Sequence, residues 1–186
     1  MARACSEEPR KSADVTNRDI FSTARLTLRT TSEGDIDALH ERVFSDADVI
    51  RFVFPGKTLS WQDSAKFVRE QFNFSGADVG LSTLVEKGSG EVIGFSGLRP
   101  CPALGENDLE LGFVLAKCAW GRGYASEIGR AQIEWGLGHL GRTRLLALVH
   151  PANARSINVI VKLGMRHRVD APFDERGDRR VYCIDA

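Results

Sequence analysis

Two strand–helix units in the C-terminal half of the chain most restrict the folds open to it. Residues 109–115 read LELGFVL, and apolar residues at helical spacing continue to residue 138. Residues 145–149 are continuously apolar, as expected of a strand covered on both faces, and a second helical pattern runs to residue 163. Strands that alternate with helices predict a mixed α/β domain.

The N-terminal half adds further strands and two helices. Residues 25–30 alternate polar and apolar side chains, which predicts a half-buried strand. Ser32 and Ser60 each begin a capping-box spacing ahead of a helical pattern. The apolar face of the second of these helices is formed by Trp61, Ala65, Val68 and Phe72. The remaining strands are predicted at residues 81–85, 92–98, 165–169 and 180–184.

Composition narrows the classes of partner. The 186 residues suffice for one domain with a core, predicted at 21–186, while residues 1–20 lack periodicity and predict a flexible tail. The formal net charge is zero, which argues against both a nucleic-acid coat and a polybasic membrane patch. The first twenty residues contain no secretory h-region and no apolar run reaches the length of a membrane span, so the expected location is cytoplasmic.

The cysteines do not form a metal-binding pattern. None has C-x-x-C spacing or a histidine cluster beside it, so no metal site is expected and the cysteines are interpreted as free thiols of a reducing compartment. They are Cys5, Cys101, Cys118 and Cys183.

The hexapeptide WGRGYA, residues 120–125, lies between a predicted strand and a predicted helix. Glycines at this place would expose the unpaired amides of a helix N-terminus, which favour the binding of a phosphate. The alternative is that the same glycines only form a tight strand-to-helix turn. A Walker loop would need G-K-[ST], which is absent. A dinucleotide fingerprint would need Gly or Ala where Ser126 stands and an acid about twenty residues on, where Arg142 and Arg144 occur instead.

Four short segments in this order resemble the GNAT acyl-CoA acyltransferase superfamily, and within it the RimJ/RimL-type N-acetyltransferases. They are ELGFVL from Glu110, WGRGYASE from Trp120, VHPANARS from Val149 and KLGM from Lys162. The resemblance is densest over residues 109–166 and extends loosely over 24–186. It implies a GNAT fold, with a central mixed sheet of six or seven strands flanked by four helices. It also implies acetyl-CoA as cosubstrate and an acceptor that is an amine-bearing small molecule or a peptide N-terminus. Dimers are common in the superfamily, so a homodimer is one option.

The resemblance also implies which residues bind coenzyme A. The amides of the glycine-rich loop would hold the pyrophosphate, and the pantetheine arm would pair with the backbone of the preceding strand. That pairing requires the strand at 109–115 to splay from the strand at 145–149. The implied cofactor-binding residues are Phe113, Val114, Leu115, Gly121, Arg122, Gly123, Tyr124, Ala125, Ser126, Asn153 and Ser156.

Glu110 is the candidate general base, because a carboxylate inside an otherwise apolar strand is costly unless it faces a cleft. Partial burial would raise its pKa toward a useful value, and a water can relay the proton. The alternative places Glu110 in solvent at a strand end. The resemblance further implies that the Val114 amide stabilises the oxyanion.

Ser156 is the second candidate catalytic residue, near the sulfur of the thioester, and it equally suits the first turn of a helix. Asn153 is a favoured N-cap residue, which is compatible with a contact to coenzyme A. Ile160 stands where many GNAT enzymes have a tyrosine that protonates the thiolate, so the acid would be Ser156 or a water. Tyr124, inside the loop, is not a replacement.

Two features near the expected cleft stay open. His150 is interpreted as a packed or capping residue rather than a base. The segment 50–62 is either core or the lining of the acceptor pocket. Three functions are compatible with the sequence: an N-acetyltransferase, a non-catalytic acyl-CoA-binding or regulatory module on the same fold, and a transferase for another donor such as succinyl-CoA.

Overall fold

The computed structural model describes residues 17–54, 57–104, 108–172 and 177–186. The strands are β1 (Asp19–Ser22), β2 (Leu26–Arg29), β3 (Gly80–Glu86), β4 (Val92–Cys101), β5 (Asp108–Leu115), β6 (Arg144–Val149), β7 (Arg166–Pro172) and β8 (Asp178–Asp185). The α-helices are α1 (Ile36–Leu39), α2 (Ala47–Ile50), α3 (Trp61–Gln71), α4 (Tyr124–Ile133) and α5 (Ala154–Lys162). Two π-helical segments, His40–Phe44 and Glu134–His139, continue α1 and α4.

The eight strands of the described residues form one mixed sheet in the order β1-β2-β3-β4-β5-β6-β8-β7. The predicted mixed α/β class is confirmed, and the described residues contain eight strands where the resemblance implied six or seven and five α-helices where it implied four. The additional strand, β1, pairs with β2 and contains Asp19 and Ile20, which the sequence pattern had placed in the tail. Asp19 and Ile20 therefore belong to the sheet, while residues 1–16 lie outside the described part of the chain.

Helices cover both faces of the sheet. Because successive strand residues point to opposite faces, Phe95 packs against the helices α1 to α3 while its neighbour Ser96 bonds to α4. The core on the α1–α3 side includes Phe44, Val68 and Phe72. The side chains of Phe54 and Val114 pack against this same core, which places both on the α1–α3 side of the sheet.

Side-chain caps fix where the helices begin. Ser60 Oγ accepts a hydrogen bond from the Asp63 N–H at 3.1 Å, as the sequence spacing predicts. Ala65 and Val68 are buried as expected. Trp61 is a correction to the predicted apolar face, because its side chain is 43% exposed and its indole N–H donates to Asp37 at 2.7 Å.

The parallel pairing of β5 with β6 is very short. It is limited to Leu109 with Leu145 and Glu110 with Leu146. Beyond this point residues 111–115 pair only with β4 and residues 147–149 only with β8. The sheet is therefore split along one line, and the β6-facing edge of β5 keeps peptide groups with no strand partner. This is the splay that the resemblance requires.

The described residues contain no helix that is long and apolar enough to cross a membrane. No disulfide joins Cys101, Cys118 or Cys183 to another described residue. Cys5 lies outside the described residues.

Candidate active site

The glycine-rich loop exposes a row of amides at the start of α4. Gly121 and Gly123 have φ values of 74° and 80°, a left-handed conformation that side-chain-bearing residues rarely adopt. The first bond within the helix runs from the Glu127 N–H to the Gly123 carbonyl at 3.1 Å. Within the described residues the amides of Gly121, Arg122 and Gly123 donate to no protein acceptor. The loop is therefore built as a concentrated set of free donors at a positive helix end.

Two residues that sequence reasoning missed hold this loop in place. Arg25 donates to the Arg122 carbonyl at 3.0 Å and to Glu127 on α4 at 2.7 Å. Glu127 also accepts from the Arg25 backbone N–H at 2.9 Å, which joins the start of β2 to α4. One indication of this contact was available from the sequence, because the resemblance extends loosely to the strand that contains Arg25. No local pattern could relate Arg25 to Glu127, which lies about a hundred positions later.

Tyr124 contributes its backbone, and not its ring, to the loop surface. Its side chain is buried in the core, and its phenol O–H donates to Glu86. This hydrogen bond lowers the pKa of Glu86 and raises the pKa of Tyr124. A phenol held in this way is turned from the cleft and is a poor proton donor, as the sequence interpretation expected.

A cleft of about 560 Å³ opens where β5 and β6 separate. Glu110, the last β5 residue that pairs with β6, lines this cleft and is half-buried. Gly112, Phe113 and Val114 continue the same wall. Leu115 packs into the core instead, so any contact it makes with a ligand is through its backbone.

The start of α5 forms the opposite wall. The Asn153 side chain accepts from the Ser156 N–H at 3.2 Å, which makes Asn153 the N-cap of α5. Ser156 and Ile160, one turn further, both line the cleft. Within the described residues the Ser156 hydroxyl makes no hydrogen bond, so its oxygen is available to the cleft. Ile160 is 2% exposed and offers only hydrocarbon.

His150 lines the cleft, and a hydrogen bond to its ring fixes which ring nitrogen accepts and which can donate. Its Nδ1 accepts a hydrogen bond from the Ala152 N–H at 3.1 Å, so the proton of the neutral ring is on Nε2. The ring stacks on Phe52 with centroids 5.0 Å apart. A ring whose basic nitrogen is occupied is a packed side chain and a hydrogen-bond donor, in agreement with the sequence interpretation.

The described part of segment 50–62 is divided between core and cleft. Phe52, Val53 and Phe54 line the cleft, whereas Arg51 and Lys57 are exposed outside it. Two arginines that sequence reasoning missed also line the cleft, Arg99 on β4 and Arg179 on β8. Within the described ranges no group of three His, Cys, Asp or Glu side chains is placed to hold a metal ion.

The sheet is split between β5 and β6, and the glycine-rich loop follows the free edge of β5. This combination is typical of an α/β acyltransferase domain. Residues 25–166 match the family model described as an acetyltransferase (GNAT) domain, so the chain belongs to the GNAT acetyltransferase family.

Known proteins of similar sequence and structure agree with this assignment. The Bacillus subtilis protein YkkB is 31% identical over 145 residues, which cover 78% of this chain and 84% of that protein. A GNAT-family acetyltransferase from Bacillus anthracis has a crystal structure with a TM-score of 0.75 and 26% identity, covering 88% of this chain and 96% of that one. Spermidine N-acetyltransferase from Vibrio cholerae, crystallised with CoA and spermine, has the same fold at 14% identity and a TM-score of 0.68, covering 88% and 96% of the two chains.

Proposed function

We propose that this protein is an acetyl-CoA-dependent N-acetyltransferase that transfers the acetyl group to a primary amine by direct attack on the thioester. The observation that carries the proposal is the split between β5 and β6. Its unpaired backbone edge connects the exposed amides of the loop with the cleft that contains Glu110. An extended acyl carrier fits this arrangement, because its diphosphate end can bind the loop amides while its acyl end reaches the cleft.

The residues present fit coenzyme A. The amides of residues 121–126 would bind the pyrophosphate, because each offers an N–H near the positive end of α4. The pantetheine arm would occupy the β6-facing edge of β5 at residues 113–115, where the peptide groups that point away from β4 have no strand partner. Asn153 and Ser156 would contact the carrier from the other wall. When bound, the carrier supplies an activated acetyl thioester.

The chain's own groups then account for the proton movements. Glu110, directly or through one water, removes a proton from the acceptor ammonium, and the free amine attacks the thioester carbonyl carbon. The Val114 amide would stabilise the oxyanion that forms. As the new C–N bond is made and the C–S bond breaks, the nitrogen passes its second proton to a water and the sulfur leaves as a thiolate. Ser156 or a water supplies the proton to sulfur, since Ile160 has none.

Two measurements on the full chain test the proposal. Calorimetric titration with acetyl-CoA is expected to show one site, and thiol release is expected with at least one member of a panel of amines, amino acids and N-terminal peptides. Absence of heat with any acyl-CoA contradicts the proposal. Tight binding without thiol release from the whole panel would favour a non-catalytic acyl-CoA-binding module, and release from succinyl-CoA alone would reassign the donor.

Gly112→Ala tests whether the β5 wall is the reaction site. Gly112 lines the cleft, and a Cβ added there meets no atom within 4 Å, so the fold should tolerate it. We expect kcat/KM for acetyl transfer to fall about tenfold, because a methyl group would displace the reacting groups. Gly138→Ala is the matched control, since its added Cβ also meets open space but lies outside the cleft lining. Equal activities of the two variants, at equal melting temperatures, would argue against the assigned wall.

A further inference from the structure

Arg99 places a positive charge beside the proposed base. In the antiparallel pairing of β4 with β5, Arg99 is directly opposite Glu110, and both residues line the cleft. Directly opposed residues share one face of a sheet with Cβ atoms about 5 Å apart. A molecule that presents its amine to Glu110 therefore has a guanidinium close to the neighbouring atoms.

No ion pair holds the Arg99 side chain within the described residues. Within the described ranges Arg99 forms no ion pair and no side-chain hydrogen bond, although it is half-buried. The nearest acid along β5, Asp108, is held by Arg144 through contacts of 2.7 and 3.2 Å. A planar guanidinium in this position matches a carboxylate, which it can bind through two parallel N–H donors.

Apart from Glu110, the charged residues of the described cleft lining are arginines. Arg179 adds a second guanidinium, which is 4% exposed and donates to the Phe52 carbonyl at 3.3 Å. Among the described lining residues Glu110 is the only acid. A polyamine would need several carboxylates along its length, so this lining disfavours polycationic acceptors. The apolar part of the lining includes Phe52, Phe54, Phe67, Leu81 and Phe95.

We infer that the acceptor is a free amino acid with an apolar side chain. Its carboxylate would pair with Arg99, its amine would face Glu110, and its side chain would contact the phenylalanines of the cleft. The volume of about 560 Å³ must also hold the thioester end of the donor, which favours a small acceptor over a protein segment. This inference rests on the proposed function, because it specifies the amine that the same site acetylates.

The first test compares matched acceptors in the thiol-release assay with acetyl-CoA. L-Leucine, L-methionine and L-phenylalanine are each compared with the corresponding amide and the corresponding decarboxylated amine, with spermidine and a dipeptide as further arms. We expect kcat/KM for the best amino acid to exceed that of its amide at least tenfold, since a site built for a charged group rejects analogues that lack it. Equal or better use of amides, amines, spermidine or the dipeptide overturns the inference.

The second test is Arg99→Gln. It is expected to lower kcat/KM for the amino acid about 10- to 100-fold while changing that for the amide less than twofold, so that the preference for a carboxylate disappears. Arg130→Gln on the exposed part of α4 is the control and should retain the preference. A variant at Arg99 that keeps the preference overturns the inference.

A binding measurement separates this inference from the proposed function. Each N-acetyl amino acid and its amide are titrated into the CoA-saturated wild type and into Arg99→Gln. If no thiol is released from any acceptor, the proposed function fails. Tighter binding of the carboxylate than of the amide, lost in Arg99→Gln, would still support the carboxylate site, and equal binding of the two would overturn it.

Discussion

Replacement of Glu110 by Gln is expected to lower kcat for acetyl transfer about 10²- to 10³-fold while leaving the affinity for acetyl-CoA unchanged. Glutamine keeps the size of the side chain and removes its capacity to take a proton. Glu110 stands at the point where β5 and β6 part, on the cleft wall and away from the loop amides, so the binding of the carrier should not depend on it. Steady-state thiol release and calorimetric titration with acetyl-CoA measure the two quantities separately.

The control for this variant is Glu134→Gln. Glu134 is an exposed acid in the π-helical segment after α4 and lies outside the cleft lining, so its replacement should leave kcat intact. In Glu110→Gln the residual rate should rise with pH, because the fraction of acceptor already present as free amine then limits the reaction. A kcat within threefold of the wild type would remove Glu110 from the role of base.

Asp35→Ala is expected to lower the free energy of unfolding by about 3 kcal/mol, because it leaves the mostly buried Arg29 side chain without its carboxylate partner. Asp35 is 4% exposed and accepts from Arg29 at 2.7 and 2.8 Å. It also accepts from the Ser32 backbone N–H at 2.8 Å and from the Thr83 hydroxyl at 3.3 Å. This one carboxylate thus joins β2, β3 and the turn that begins α1. Urea unfolding followed by circular dichroism measures the loss.

The pH dependence of this effect has a defined sign. Burial alone would raise the pKa of Asp35, but the hydrogen bonds from Arg29 and Ser32 outweigh it and hold the pKa below its ordinary value of 3.8. The stabilisation is therefore complete above that value and is lost as the pH falls through the lower pKa of the folded state. The difference between wild type and variant should shrink under acid.

The matched control is Glu33→Gln, which removes an acid that binds Arg69 in a similar way on the surface. Both side chains of that pair are largely exposed, so its loss should cost much less than the loss of Asp35. Comparable losses for the two variants would show that burial does not set the strength of these ion pairs.

Most of the secondary structure could be predicted from local pattern. The buried strand at 145–149 and the capped helix after Ser60 reflect periodicity and side-chain chemistry that act within a few residues. β1 escaped prediction because four residues at the edge of a sheet show no clear alternation, and their pairing with β2 is a tertiary fact. Trp61 was misplaced because helical spacing alone cannot show that the first residue of a helix extends past the core.

The residues of the candidate site likewise include some that local sequence could predict and some that it could not. Gly121 and Gly123 could be located from sequence, because positive φ values at a helix start demand glycine. Glu110 was located by the conflict between its charge and its apolar strand. Arg99 and Arg179 could not be located, since they come from strands far apart in sequence and only the sheet order brings them to one cleft.

Only two residue pairs join β5 to β6, so the sheet consists of two parts of unequal size that are connected at this point. Five strands lie on one side of this seam and three on the other. Because no ladder bonds oppose widening beyond Glu110, the separation of the walls is governed by the side chains that fill it. A change in the bulk of those side chains can therefore retune the size of molecule admitted without rebuilding the backbone, which makes the domain adaptable to new acceptors at little structural cost.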